Sequence, residues 1–234
     1  MQAGSVDAAE VARFNALAAD WWNPDGPMRP LHRMNPARIA WIDARLRQRF
    51  AGGARVLDVG CGAGLAAEAL ARLGHNVLGL DAAGDAVAAA RTQAEGAGLA
   101  VDYRQGAAEE LLAEGARFDA VTALEVIEHV TDPAAFLATL ARLLVPGGLL
   151  FVSTLNRTRR SWLVAILGAE YVMRLLPVGT HDWARFVTPA ELDAGLRAAG
   201  LRLADITGLA PDPLRGGWRP TGNLGVNYLA MAHG

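Results

Sequence analysis

The chain has 234 residues, a formal net charge of −2 and one cysteine, Cys61. That length suits one α/β domain with room for an insertion, the balanced charge carries no nucleic-acid signature, and a lone cysteine excludes internal disulfides and multi-cysteine zinc sites. All 22 basic residues are arginine, which excludes a Schiff-base, phosphate-loop or kinase-type lysine.

The N-terminus has no basic region followed by an apolar stretch, and no apolar run approaches the roughly 18 residues of a spanning helix. A cytoplasmic protein is expected. Val11, Phe14, Leu17 and Ala18 recur at helical spacing within Asp7–Asp20. Trp21-Trp22-Asn23-Pro24-Asp25-Gly26-Pro27 then breaks the helix. A second helix is expected to start at Asn35-Pro36, read as a cap followed by proline at the first helical position, and to run to about Phe50.

From Ala54 onward, strands and helices alternate. Strands are expected at 55–59, 76–80, 99–103, 118–123 and 149–154, with helices at 65–73, 83–97 and 133–144. That rhythm means a parallel, doubly wound sheet. Residues 156–185 interrupt it as an inserted helical lid. Thr188-Pro189-Ala190-Glu191 is a capping box opening one more helix, and 201–208 and 226–232 read as closing strands around a Pro- and Gly-rich loop, 211–225. The chain thus divides into a helical cap, 1–53, and a domain, 54–234, carrying the insertion.

Asp58-Val59-Gly60-Cys61-Gly62-Ala63-Gly64 lies between a strand and a helix. Gly60 and Gly62 permit positive φ and close ligand approach. A dinucleotide fingerprint needs Gly or Ala where Leu65 stands, so the loop fits a different nucleoside cofactor. Asp81 ends the second strand, where a carboxylate can accept from both ribose hydroxyls. The plainer reading is a tight turn and a helix cap; strand context and a correctly placed acid favour cofactor binding.

These residues resemble the class I S-adenosylmethionine-dependent methyltransferases, whose first motif is Val-Leu-Asp-x-Gly-Cys-Gly-x-Gly. The resemblance implies a Rossmann-like seven-stranded sheet, mostly parallel with an antiparallel last strand. It implies a glycine loop (with Asp58, Gly60, Gly62 and Gly64) under the methionine and ribose, Asp81 on the ribose, residues around Ala107 beside the adenine, and Leu124 and Glu125 at the methionine.

A narrower resemblance spans nearly the whole chain. Phe14-Asn15-x-x-Ala18 with Trp21-Trp22, Pro30-Leu31-His32-Arg33-Met34-Asn35-Pro36-x-Arg38, Glu125-Val126-Ile127-Glu128-His129-Val130, Ser153-Thr154-Leu155-Asn156-Arg157 and Val226-Asn227-Tyr228 are similar to the ubiquinone-biosynthesis O-methyltransferases. Ala63 departs from the glycine frequent there, and alanine is tolerable unless its φ is positive. The resemblance implies methylation of polyprenylated catechol and hydroquinone intermediates (2-polyprenyl-6-hydroxyphenol and 3-demethylubiquinol), with Arg38 pairing the cofactor's methionine carboxylate.

On a helical turn, Glu125, Glu128 and His129 would share one face and could ligate Mg²⁺, Mn²⁺ or Zn²⁺, leaving positions for a chelating catechol. The alternatives are His129 as a metal-free base and a purely structural turn. His181-Asp182 and His32 are expected in packing or loop hydrogen bonds. Ser161–Leu176, behind Arg157, Arg159 and Arg160, has the composition of a helix lying in a membrane interface, so an anionic inner-membrane surface is expected to contact 157–176. A metal-dependent RNA 2′-O-methyltransferase and a membrane-docked scaffold for other quinone-pathway enzymes are the competing functions. Near-neutral charge and the apolar insertion weigh against RNA.

Overall fold

The computed structural model describes residues 6–162, 183–214 and 217–234. One eight-stranded sheet runs in the order β3-β2-β1-β4-β5-β8-β6-β7. Its strands are β1 Arg55–Val59, β2 Asn76–Asp81, β3 Asp102–Gln105, β4 Phe118–Leu124, β5 Leu144–Leu155, β6 Arg202–Asp212, β7 Gly217–Thr221 and β8 Asn227–His233. The first five are mutually parallel, and β8 runs antiparallel to both β5 and β6. The expected seven strands are therefore joined by an eighth. The stretch 211–225, expected as a loop, extends β6 and folds back as β7, pairing Gly208 with Thr221 through Asp212 with Gly217. Its strand prolines cause no conflict: Pro220 lies on the edge strand β7, and Pro211 on the end of β6 beyond its pairing with β8.

Strands buried on both faces read as apolar runs, and Val56 and Leu57 show how the two faces divide. Leu57, Val121, Leu150 and Val152 pack with Phe136 and Leu140 of α6 (Pro133–Arg142) and Leu192 of α8 (Pro189–Ala198). Val56, Ala120 and Phe151 pack on the opposite face. They meet α2 (Arg29–Arg49), α3 (Leu65–Arg72) and α4 (Gly84–Gly96) through Ile42, Leu70 and Ala90. The region 1–53 accordingly divides in its packing: α2 belongs to a sheet face, whereas α1 (Ala8–Leu17) packs with α4 near the carboxyl ends of the strands. A short α5 (Ala108–Ala113) and a single turn, α7 (Arg159–Ser161), complete the α-helices among the described residues.

Helix α2 begins at Arg29, six residues before the expected Asn35. Pro30 takes the first-turn position that needs no donor, and Pro36 sits inside the helix. Asn35 is thereby freed from capping and buried, with consequences for the site. The third strand also starts later than expected, at Asp102. By contrast, the Thr188 capping box forms as expected: Thr188 Oγ1 accepts from Glu191 N, and the Glu191 carboxylate accepts from Thr188 N.

Parallel register brings the strand ends level: Val59 pairs with Leu80 on one side and with Ala123 on the other. Strand order reverses between β1 and β4, so a crevice opens beyond their carboxyl ends. His181, Asp182 and nearly all of the expected interfacial stretch 161–176 lie outside the described residues.

Candidate active site

The loop after β1 is built on left-handed backbone. Gly60, Gly62 and Gly64 have φ of +68°, +52° and +89°. At Gly60 an added Cβ would come 2.4 Å from Val126 Cγ2, and at Gly62 it would come 2.1 Å from the Trp21 ring. Glycine is thus required twice, by dihedral and by contact. Ala63 is fully buried and is not in the positive-φ region, so its departure from glycine is accommodated. Its carbonyl accepts from Trp22 Nε1 at 2.8 Å, while His32 Nε2 lies 2.8 Å from the Trp21 carbonyl oxygen. The tryptophan pair therefore clamps the glycine loop, and His32 has the loop hydrogen-bonding role expected of it.

Asp81 stands beside this loop. Its Oδ2 accepts from Gly62 N and its Oδ1 from Ala83 N, both at 2.8 Å. Burial pushes the carboxyl upward, opposed by those same amide hydrogen bonds. Gly106 N donates to the Asp81 carbonyl oxygen, placing Ala107, the cap of α5, next to it. Leu124 closes the end of β4 and is buried.

Beneath the loop lies a buried charge set. Arg38 is 3% exposed, and its Nη2 donates to Asn35 Oδ1, whose Nδ2 donates to Leu65 O at the start of α3. Arg38 Nε and Nη1 are buried without a hydrogen-bond partner. Burial lowers the guanidinium's pKa, opposed by the charges of Glu125 and Asp58. Asp58 accepts from Thr122 Oγ1 at 2.6 Å, while its Oδ2 has no partner. Burial pushes its carboxyl to about 6, against the pull of Thr122 and Arg38. Buried donors without acceptors are costly unless a ligand supplies the acceptor. A nucleoside bearing an amino-acid carboxylate meets that need, so the residues fit S-adenosylmethionine.

The expected metal cluster does not assemble. Glu125 adopts φ +59°, the sole positive-φ non-glycine among the described residues, and the helical turn begins only at Ile127 as a tight three-residue 3₁₀ turn. The i, i+3, i+4 face therefore never forms. Glu125 Oε1 accepts from Ser153 Oγ at 2.7 Å and Glu128 Oε2 from Thr154 Oγ1 at 2.9 Å. Glu128 also hydrogen-bonds Glu125; burial, then the Glu125 charge, pushes its carboxyl up to about 8. His129 turns away: Nδ1 lies 2.8 Å from Glu10 Oε2 on α1, and its ring meets Phe14 edge-on at 5.4 Å. Among the described residues no three His, Cys, Asp or Glu side chains are grouped to hold a metal ion. The three as arranged do not fit a shared cation.

Sequence reasoning missed Glu10, Trp21 as a cover for Gly62, and Thr122 beneath Asp58. Ser153 and Thr154 carried a usable signal, because they lie near the end of β5, where Ser153 pairs with Leu124 in the register.

Residues 57–152 match the family described as methyltransferase domain. The ubiquinone biosynthesis O-methyltransferase of Azorhizobium caulinodans is 48% identical, covering 97% of this chain and 93% of that one. Its counterpart from Parvibaculum lavamentivorans is 46% identical over 97% of this chain and 94% of its own. Among solved structures, magnesium protoporphyrin IX methyltransferase from Synechocystis PCC 6803 superposes with a TM-score of 0.69 at 22% identity, covering 97% of this chain and 99% of that one. That likeness speaks to the fold. A parallel sheet with an antiparallel β8 and a glycine-loop crevice defines a class I S-adenosylmethionine-dependent methyltransferase. Within that class the identities are high over nearly full length. The chain belongs to the ubiquinone biosynthesis O-methyltransferase family.

Proposed function

We propose that this chain transfers the methyl group of S-adenosylmethionine to a catechol-type hydroxyl of a polyprenylated ring in ubiquinone biosynthesis. The observation that carries the reading is Arg38, a buried guanidinium with two unpartnered nitrogens beneath the glycine loop and near Asp58. Arg38 would bind the methionine carboxylate, Asp81 the ribose hydroxyls, and the backbone around Ala107 the adenine edge. Gly60, Gly62, Gly64, Asp58 and Leu124 shape the floor and the methionine side.

When bound, the cofactor supplies an electrophilic methyl on a sulfonium sulfur. The chain's part is to exclude water, align the acceptor oxygen in line with that methyl and remove one proton. His129 is the proton acceptor, and the Glu10 carboxylate, 2.8 Å from its Nδ1, offsets the positive charge that the ring gains. Glu125 and Glu128 are held by Ser153 and Thr154, and burial together with the neighbouring Glu125 charge favours the protonated form of Glu128.

The metal-assisted alternative would require His129 to leave Glu10. Chelation separates the two: full turnover in a metal-stripped sample supports the base reading, and loss restored by Mg²⁺ or Zn²⁺ overturns it. S-Adenosylhomocysteine release with a short-chain demethylubiquinol, a 2-prenyl-6-hydroxyphenol and RNA oligonucleotides tests the acceptor class. Turnover only with RNA would sink the proposal.

The proposed seat is the cytoplasmic face of the inner membrane, through 157–176. Support comes from the start of that stretch and from the segment beyond it: Arg159 and Arg160 are exposed, and Trp162 and Trp183 are 43% and 38% exposed. Arg157 serves a different end from the lipid contact expected of it. It pairs with Glu191 and donates to the carbonyl oxygens of Ala184 and Phe186. Among the described residues no helix is long and apolar enough to cross a membrane. Other enzymes of the pathway are proposed partners at that surface. Co-sedimentation with anionic vesicles, lost on deleting 160–176, is the test.

A further inference from the structure

A cavity of about 410 Å³ opens between α6, α8 and the segment 184–187, with Glu128 in its wall. Its depth is legible from exposure. Ile127, Leu137, Phe186 and Leu192 are almost fully buried and form the inner wall, whereas Ala134 and Glu191 are exposed and form the rim. Gly195 keeps the helices close here, since a Cβ would come 2.7 Å from Leu137 Cδ1. A glycine inside a helix is disfavoured locally, so its presence is accounted for by this packing. The volume falls in the range of small-molecule sites, which are concave and mostly apolar with few polar groups.

Two features identify the occupant. The cavity's buried polar wall is Glu128, which hydrogen-bonds Glu125 on the cofactor side, so one carboxyl pair separates the cavity from the methyl-transfer space. The rim arginines are already engaged: Arg157 with Glu191, and Arg185 with Asp7 at 3.4 Å. Paired charge at the rim and hydrocarbon within suit an uncharged aliphatic chain rather than an anion. We infer that this cavity receives the ring-proximal isoprenoid units of the methyl acceptor, running from Glu128 outward between α6 and α8. The inference rests on the methyl-transfer reading and adds the site that selects a prenylated ring over a bare one.

The test compares kcat/KM for a farnesylated catechol with that for the same catechol lacking the tail. Val130→Phe and Ala134→Trp narrow the cavity, with thermal melting as the control for folding. The ratio of prenylated to bare acceptor falls about 10- to 100-fold in these variants, the span that shape changes in apolar pockets produce. A ratio equal to wild type overturns the inference while leaving methyl transfer intact. Failure of the wild-type chain to methylate either acceptor overturns the methyl-transfer reading, and this one with it. Independently of turnover, a benzophenone at the end of a geranyl-length tail should label 130–137 or 184–195 on illumination. Labelling confined to other segments also overturns it.

Discussion

His129 Nδ1 lies 2.8 Å from Glu10 Oε2, joining the turn after β4 to the N-terminal helix. The proposed base is therefore completed by a residue more than 100 positions away, on an element that also covers the crevice. Phe14, one turn along α1, holds the other side of the imidazole. Because the Glu10 carboxylate offsets the charge on the ring, Glu10→Gln lowers kcat by roughly tenfold with little change in cofactor affinity. His129→Ala removes the acceptor itself and lowers kcat by about 10²- to 10⁴-fold, the usual weight of a general base. Steady-state kinetics check both, and a Glu10→Gln enzyme with wild-type kcat would remove Glu10 from the mechanism.

Arg38 poses a different problem, because two of its nitrogens are buried and unpartnered. A buried charge whose hydrogen bonds are only partly met adds little to a fold, whereas a charge-assisted hydrogen bond to a ligand contributes about 1.5–3 kcal/mol. Arg38→Met, close in volume, is expected to leave the cofactor-free melting temperature unchanged or higher. It should weaken S-adenosylhomocysteine binding by roughly 10- to 100-fold, since about 1.4 kcal/mol is a factor of ten. Calorimetry measures the affinity and scanning calorimetry the stability. A large loss of stability with unchanged affinity would assign Arg38 to the core instead.

Asp58 makes the pH dependence calculable. Its carboxyl titrates at about 6 in the fold against an ordinary 3.8. The folded chain thus binds this proton more tightly than the unfolded chain, and the ionised group is a penalty. That penalty is complete above about pH 6, declines as pH falls, and is gone below 3.8. Two pKa units correspond to about 3 kcal/mol. Cofactor-free protein should therefore gain stability from this site between pH 7 and 4. Asp58→Asn, which still accepts from Thr122, flattens that part of the profile and raises stability at pH 7. Urea titrations across the range measure it, and parallel profiles for the two proteins would contradict the assignment.

The sequence carried the βαβ rhythm because strands buried on both sides announce themselves as apolar runs, as in Arg55–Val59. The Gly60–Gly64 loop and Asp81 were equally legible, since their chemistry is local to two strand ends. What could not be read was placement across the chain. The spacing of Glu125, Glu128 and His129 suggests one helical face, yet Glu125 lies at φ +59° and the turn is 3₁₀. Nothing in that spacing reveals Glu10, whose contact depends on how α1 docks. Asn35-Pro36 looked like a helix start because that dipeptide suits one. The earlier Pro30 fills the role and leaves Asn35 to hold Arg38.

Trp21 and Gly62 give the last prediction. The indole lies where a Cβ on Gly62 would sit, 2.1 Å from that position, and the residue's φ of +52° already disfavours a side chain. Gly62→Ala must displace Trp21 or unwind the loop. Trp21 shares a buried cluster with Met28 and Ala63 against which Phe14 and Leu17 of α1 pack, so displacement propagates into the N-terminal helix. Strain of this kind costs about 1–3 kcal/mol. The variant is expected to fold, to bind S-adenosylhomocysteine at least tenfold more weakly, and to expose α1 to protease, with cleavage after Arg13 accelerated. Trp21→Ala in the same background relieves the contact and should restore part of the cofactor affinity but none of the protection. Limited trypsin digestion with mass spectrometry reads the second effect directly. Unaltered cleavage at Arg13 in Gly62→Ala would show that the cover over the loop is not what the glycine is there to admit.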